Sequence, residues 1–111
     1  MEATDLTSLV EFSTESPTRH TVFESKHLWS QVLCLERNQS FGPVADREAD
    51  AMVTVVAGEA VVIAGGKRRR LKQWGAALVP AGAQLSVTNA STEPLVILVV
   101  TAPPPAPEAA R

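Results

Sequence analysis

The chain has 111 residues, 45% of them hydrophobic and 20% charged, with a formal net charge of -2. That length holds one core, burying roughly two-thirds of the surface that the unfolded chain exposes, so a second domain is not expected. The composition excludes a disordered tail or a fibre, and the negative charge argues against a general polyanion binder.

The opening MEATDLTSLVEF lacks the basic segment and apolar run of a signal peptide, and no window approaches the ~20 apolar residues that cross a bilayer. A cytoplasmic protein without membrane contact is expected. Within the opening, Asp5 is placed to cap a short helix of two or three turns whose apolar residues Leu6, Leu9, Val10 and Phe12 recur at helical spacing before Pro17. From Thr18 the pattern changes to short β-rich runs: RHTVFE, LWSQVLCLE, AMVTVVA, EAVVIA, RRRLKQW, AALVP, QLSVTN and PLVILVV. Turn residues separate nearly all of them, which implies an all-β sandwich or barrel.

Gly65-Gly66 predicts a two-residue hairpin, because both glycines can take the positive φ such a turn requires. Gly58-Glu59 and Pro80-Ala81-Gly82 predict two further close connections. Leu95 to Val100 is the one long apolar strand, buried on both faces or lying at a subunit contact. The domain reading is an N-terminal arm over residues 1–17, a β-barrel over 18–102 and a proline-rich, extended or disordered tail over 103–111.

Chemistry-bearing residues are few. Cys34 is the sole cysteine, so an intrachain disulfide and a four-thiolate zinc site are both excluded, and its place in the alternating run QVLCLE makes it a small core residue. The cluster DREAD, Asp46 to Asp50, reads as a solvated connection or, alternatively, as a polar rim that orients a ligand. In it Arg47 is the anchor for an anionic group, since a guanidinium donates two parallel bonds to a carboxylate. The run KRRR from Lys67 to Arg70 follows the hairpin and lacks interleaved aromatics, so it reads as a charged strand surface and not as a nucleic-acid site. Trp29 and Trp74 read as core or interface aromatics.

The order of these features carries a resemblance. A strand ends near Gly42-Pro43, another reaches Gly58, and then come the glycine hairpin, Gly75, the Pro80/Gly82 pair and Asn89. From Leu33 to Pro103 this order resembles the cupin superfamily of small jelly-roll β-barrels, and the lead-in DLTSLVEF and RHTVFES is similar to that of small single-domain cupins. The resemblance implies an all-β jelly roll with a short N-terminal helix.

It also implies where a metal would sit. The family's first motif places a glutamate at Ala51 and two histidines at Ala45 and Arg47 or, with a longer gap, at Val44 and Asp46; the second places a histidine at Leu85. All four ligand positions are substituted, and a surface of aliphatic carbon cannot replace the water around a divalent ion. No metal and no cofactor are therefore expected. A relocated site built from His20 or His27 with Asp46, Glu48 or Asp50 is the exception considered.

The resemblance places Asp46 and Arg47 at the barrel mouth and makes Gln84, Val87 and Val53 barrel-facing or mouth residues, while alternation ties Leu85 to Val87 and Ala51 to Val53 on common faces around a chiefly aliphatic cavity. No catalytic residue is assigned, and Asn89 is given a structural role at the end of a strand. The expected function is that of a metal-independent cupin-like protein binding a small, partly apolar ligand or serving as a non-catalytic accessory. The alternative is a cupin-fold isomerase or lyase using acid/base chemistry from Asp46, Arg47, Glu48 or Asp50, or a relocated metal site. A homodimer is expected from the apolar last strand and arm, and nucleic acid is not a partner.

Overall fold

A computed structural model describes residues 1–104. The described residues form nine strands: β1 (Thr18–Glu24), β2 (Trp29–Leu35), β3 (Ser40–Val44), β4 (Asp50–Ala57), β5 (Ala60–Ala64), β6 (Lys67–Leu71), β7 (Ala76–Val79), β8 (Leu85–Thr88) and β9 (Leu95–Ala102). They build two antiparallel sheets, one in the order β1-β2-β9-β4-β7 and the other β3-β8-β5-β6. Among the described residues no helix is long and apolar enough to cross a membrane.

The two sheets share one apolar layer. Leu33, Leu35, Val53, Val55, Leu95, Ile97 and Val99 enter it from the first sheet, and Ala60, Val62, Leu85 and Val87 from the second. Period-two alternation is the cause, since each strand sends every other side chain inward. The all-β jelly-roll expectation is met. β9 explains its own composition: Leu95, Ile97 and Val99 face the layer between the sheets, while Val96 and Leu98 face the cluster that the N-terminal segment joins.

The N-terminal expectation needs correction. In place of two or three helical turns there is a single 3-10 turn over Leu6–Leu9, capped by the Asp5 carboxylate, which accepts from the Thr7 amide and hydroxyl. Those two bonds hold the Asp5 carboxyl below its usual pKa. The turn stops because Val10 is already extended and the Ser8 hydroxyl bonds back to the Asp5 carbonyl, a local alternative to helical pairing. The apolar residues keep their purpose. Leu6, Leu9, Val10 and Phe12 cover Val32, Cys34 and Val96 on the outer face of the five-stranded sheet, and Cys34 is fully buried there.

The hairpin at Gly65-Gly66 is present, with φ of 57° and 80° and Ala64 paired to Lys67. The other two close connections, Gly58-Glu59 and Pro80-Ala81-Gly82, carry the chain from one sheet to the other, β4 to β5 and β7 to β8. β3 contains Gly42 within it. Its φ is +98° and a Cβ there would run into the Leu85 carbonyl, so only glycine lets the bulged β3 lie this close to β8. Lys67 to Arg70 lie on β6, an edge strand, and all four are exposed; a charged edge resists pairing with other chains. The part of the proline-rich tail from residue 105 lies outside the described residues.

Asn89 closes one end of the barrel. Fully buried, it donates to the Leu35 carbonyl at 3.0 Å and the Glu93 carbonyl at 2.8 Å, while its Oδ1 accepts from the Ser91 amide and hydroxyl, each at 3.0 Å. One side chain thus ties the end of β2 to the turn before β9. Asn89→Ala leaves two carbonyls and an amide without their partner and should cost about 2–4 kcal/mol, read as a lower urea midpoint at unchanged m-value. A loss below about 0.5 kcal/mol, the range of neutral surface changes, would contradict this role.

Candidate functional site

The opposite end of the barrel holds a cavity of about 140 Å³. Strand ends surround it: Trp29 opens β2, Ala51 lies near the start of β4, Val79 ends β7, Leu85 opens β8 and Thr101 lies near the end of β9. The β3–β4 loop contributes Ala45, Asp46 and Ala49, and the β7–β8 loop Pro80 and Ala83. These two loops are tied together. The Gly82 amide donates to the Asp46 carbonyl at 2.7 Å and the Ala81 amide to Asp50 Oδ1 at 2.9 Å.

Most of the lining is carbon, and apart from Asp46 on the β3–β4 loop the polar side chains come from one face. Arg19 is the register partner of Leu33 on β2, Gln31 is two residues from Leu33, Gln31 pairs with Val99 on β9, and Thr101 is two residues from Val99. Residues two apart on a strand share a face. Arg19, Gln31 and Thr101 therefore run diagonally across β1, β2 and β9 on the inward side, and all three line the cavity.

Their states differ from those of ordinary core polar groups. Gln31 is 6% exposed and Thr101 8%, yet neither side chain hydrogen-bonds to any described residue. No fully sealed side-chain nitrogen or oxygen among the described residues lacks a partner. The Gln31 amide and Thr101 hydroxyl must therefore face the cavity space. The Arg19 guanidinium is in no ion pair among the described residues; it lies over the Phe41 ring, 5.5 Å from its centroid, where β1 meets β3 across the opening. Trp29 Nε1 donates to the Thr21 hydroxyl at 3.1 Å, fixing the indole in the wall.

The residues expected at the pocket divide into two groups. Asp46, Ala51 and Leu85 line the cavity, whereas Arg47, Val53, Gln84 and Val87 do not. Val53 and Val87 are on inward faces but deeper, fully buried in the closed core. Arg47 and Gln84 are exposed. The arginine at the cavity is Arg19, and Gln31 and Thr101 join it; the sequence signal for all three was strand parity, which needs the register between β1, β2 and β9 to become a location.

The acid/base and metal expectations can be placed in the same way. Asp46 Oδ1 accepts from the Glu48 amide at 2.8 Å and the Ala49 amide at 3.2 Å, Asp50 holds the β7–β8 loop, and neither Glu48 nor Asp50 lines the cavity. His20 sits 3.0 Å from Glu11 on the outer side, His27 is exposed, and neither lines the cavity. Val44, Ala45, Asp46, Ala51 and Leu85, all positions matched to metal ligands, do border it. Among the described residues no three His, Cys, Asp or Glu side chains come together as a metal site. One carboxylate with an engaged oxygen, one carboxamide and one hydroxyl do not fit a divalent transition ion.

Comparison with known proteins gives this barrel its lineage, for residues 31–101 match the model of the Cupin domain family. The chain belongs to the cupin family. Among solved structures, the TT1209 protein from Thermus thermophilus is 33% identical, with a TM-score of 0.90 over 95% of this chain and 100% of that one. A conserved protein with a double-stranded β-helix domain from Klebsiella pneumoniae is 24% identical at a TM-score of 0.86, covering 93% and 90% of the two chains. An RmlC-like cupin from Desulfovibrio desulfuricans is 19% identical at 0.84, covering 94% and 98%. The last two share the fold alone. No curated protein matches the chain.

In this cupin the largely buried Gln31 amide is expected to cost stability. Gln31→Leu replaces it with a side chain of similar size that needs no partner, and should raise unfolding stability by about 1 kcal/mol in urea titration. A fall of that size would mean that the amide is bonded within the fold.

Proposed function

We propose that this cupin is a metal-independent binding protein whose open barrel end takes a small, partly apolar ligand. The observation that carries the reading is Gln31: a side chain 6% exposed, without a hydrogen-bond partner among the described residues, in the wall of a cavity lined mostly by carbon. Buried polar groups are hydrogen-bonded in nearly all folded proteins, and a ligand supplies the missing partner. The cavity's volume sets the scale, since a closed cavity of roughly 150 Å³ takes a benzene-sized molecule. Acid/base catalysis by a cupin-fold isomerase or lyase has Asp46 alone to rest on, because Arg47, Glu48 and Asp50 are outside the cavity.

The test is a thermal-shift screen of untagged protein against small carboxylic acids, sugars and aromatic compounds, alongside elemental analysis. Wild-type protein should show a saturable rise in Tm with some members that Ala51→Phe, which fills the cavity, does not show. Metal should be far below stoichiometric. A flat screen would remove the ligand, and close to one equivalent of iron, nickel, manganese, copper or zinc per chain would remove metal independence.

We propose further that two copies associate, through a surface other than the one expected. β9 is interior to its sheet and offers no free edge. Beside Met1, the three most exposed large apolar side chains among the described residues are Met52 on β4 and its register partner Leu78 on β7, 47% and 71% exposed, and Trp74, 73% exposed, on the loop before β7. Trp74 holds a φ of 71°, a conformation that bulky residues rarely adopt. β7 is an edge strand, and AALV carries no charge to deter pairing. A two-fold contact here buries the same patch on both copies and closes, whereas a one-sided contact leaves a patch open. Sedimentation should give a dimer that Leu78→Asp converts to monomer with the fold retained by circular dichroism. A monomeric wild-type chain, or a dimer indifferent to Leu78→Asp, would contradict this.

A further inference from the structure

We infer that the ligand is a monocarboxylate, bound by its carboxylate to Arg19 and Gln31 with its apolar part against Ala51, Leu85 and Val99. This inference rests on the reading of the cavity as a ligand site and names the chemistry that site selects. Three observations lead to it. Arg19 carries the cavity's one positive charge: it lines the space, it makes no ion pair among the described residues, and its contact is the Phe41 ring. A guanidinium is a pure donor whose planar fork matches the two oxygens of a carboxylate.

The second observation is spacing. Arg19 and Gln31 are diagonal neighbours on adjacent strands of one inward face, a separation of roughly 7–8 Å between Cα atoms that long side chains bridge. Their donor groups can converge on one ligand atom set, the Gln31 NH2 joining the guanidinium. Thr101 continues the same diagonal on β9 and lines the cavity beside them. Its hydroxyl donates or accepts, so it accommodates a carboxylate oxygen or a polar substituent next to it.

The third observation limits the charge. Asp46 is the cavity's other ionisable group, and one of its oxygens is already held by the Glu48 and Ala49 amides. One cation and one carboxylate leave no second positive group for a dianion, so a phosphate monoester or dicarboxylate would bring unpaired negative charge beside Asp46. The apolar walls further exclude a fully polar anion. What remains is an acid with one carboxylate and an aliphatic or aromatic body within a volume near that of benzene.

The test uses matched acids and amides of the same shape: isobutyrate and isobutyramide, benzoate and benzamide, titrated calorimetrically into the full chain at neutral pH. At least one acid should bind wild-type protein roughly tenfold or more tightly than its amide. Arg19→Gln should remove that preference by weakening the acid and leaving the amide as it was, while Arg19→Lys, which keeps the charge without the fork, falls between. Arg19 is on an exposed edge strand, so the variants fold, and their unchanged Tm without ligand confirms it. Amides that bind as tightly as acids, or acid binding indifferent to Arg19→Gln, would overturn the carboxylate and leave the ligand cavity standing. Absence of binding by all four probes, or acid binding that persists in Ala51→Phe, would overturn both.

Discussion

A polar side chain admitted to the layer between two apolar sheets must meet a hydrogen bond or face open space. This protein contains both outcomes in the same functional group. Asn89 and Gln31 each carry a carboxamide, and each is at least nine-tenths buried. Asn89 donates to two carbonyls and accepts from Ser91, which seals the end of the barrel where β2 stops and β9 starts. Gln31 has no such partners among the described residues and lies at the other end, where the strand ends separate around a cavity. The barrel is therefore polarised, with one carboxamide used to close the fold and the other left for something from outside.

The open end is held in shape by groups that were candidates for chemistry. Asp46 and Asp50 organise the β3–β4 loop and fasten it to the β7–β8 loop through backbone amides. Acidic side chains that bond to loop amides define a rim, and a defined rim lowers the ordering cost when a small molecule binds. The inner face of the five-stranded sheet supplies the recognition groups, the rim loops supply the shape, and the four-stranded sheet supplies a carbon wall through Leu85.

Much of the architecture was legible because it depends on local rules. Two adjacent glycines demand a tight turn, and the strand runs alternate clearly. β3 was legible only as a strand end near Gly42-Pro43, because SFGPV has none of the alternation of a strand and owes its place to a close approach to β8. The helix read over Leu6 to Phe12 reduced to one turn because the same apolar spacing serves an extended chain lying on a sheet.

The site was half legible for a different reason. Parity along a strand tells which face a residue takes but not how deep it sits, so Ala51 and Leu85 were placed at the cavity while Val53 and Val87, on the same faces, fell into the closed core. Arg47 looked like the anion anchor by being near the rim in sequence, yet Arg19, far away along the chain, reaches the cavity through the β1–β2 register. Whether the Gln31 amide waits for an external partner is tested most directly by side-chain amide NMR during a benzoate titration. The Gln31 NH2 resonances should shift and saturate while those of Asn89 stay still; saturable binding that leaves Gln31 unmoved would contradict it.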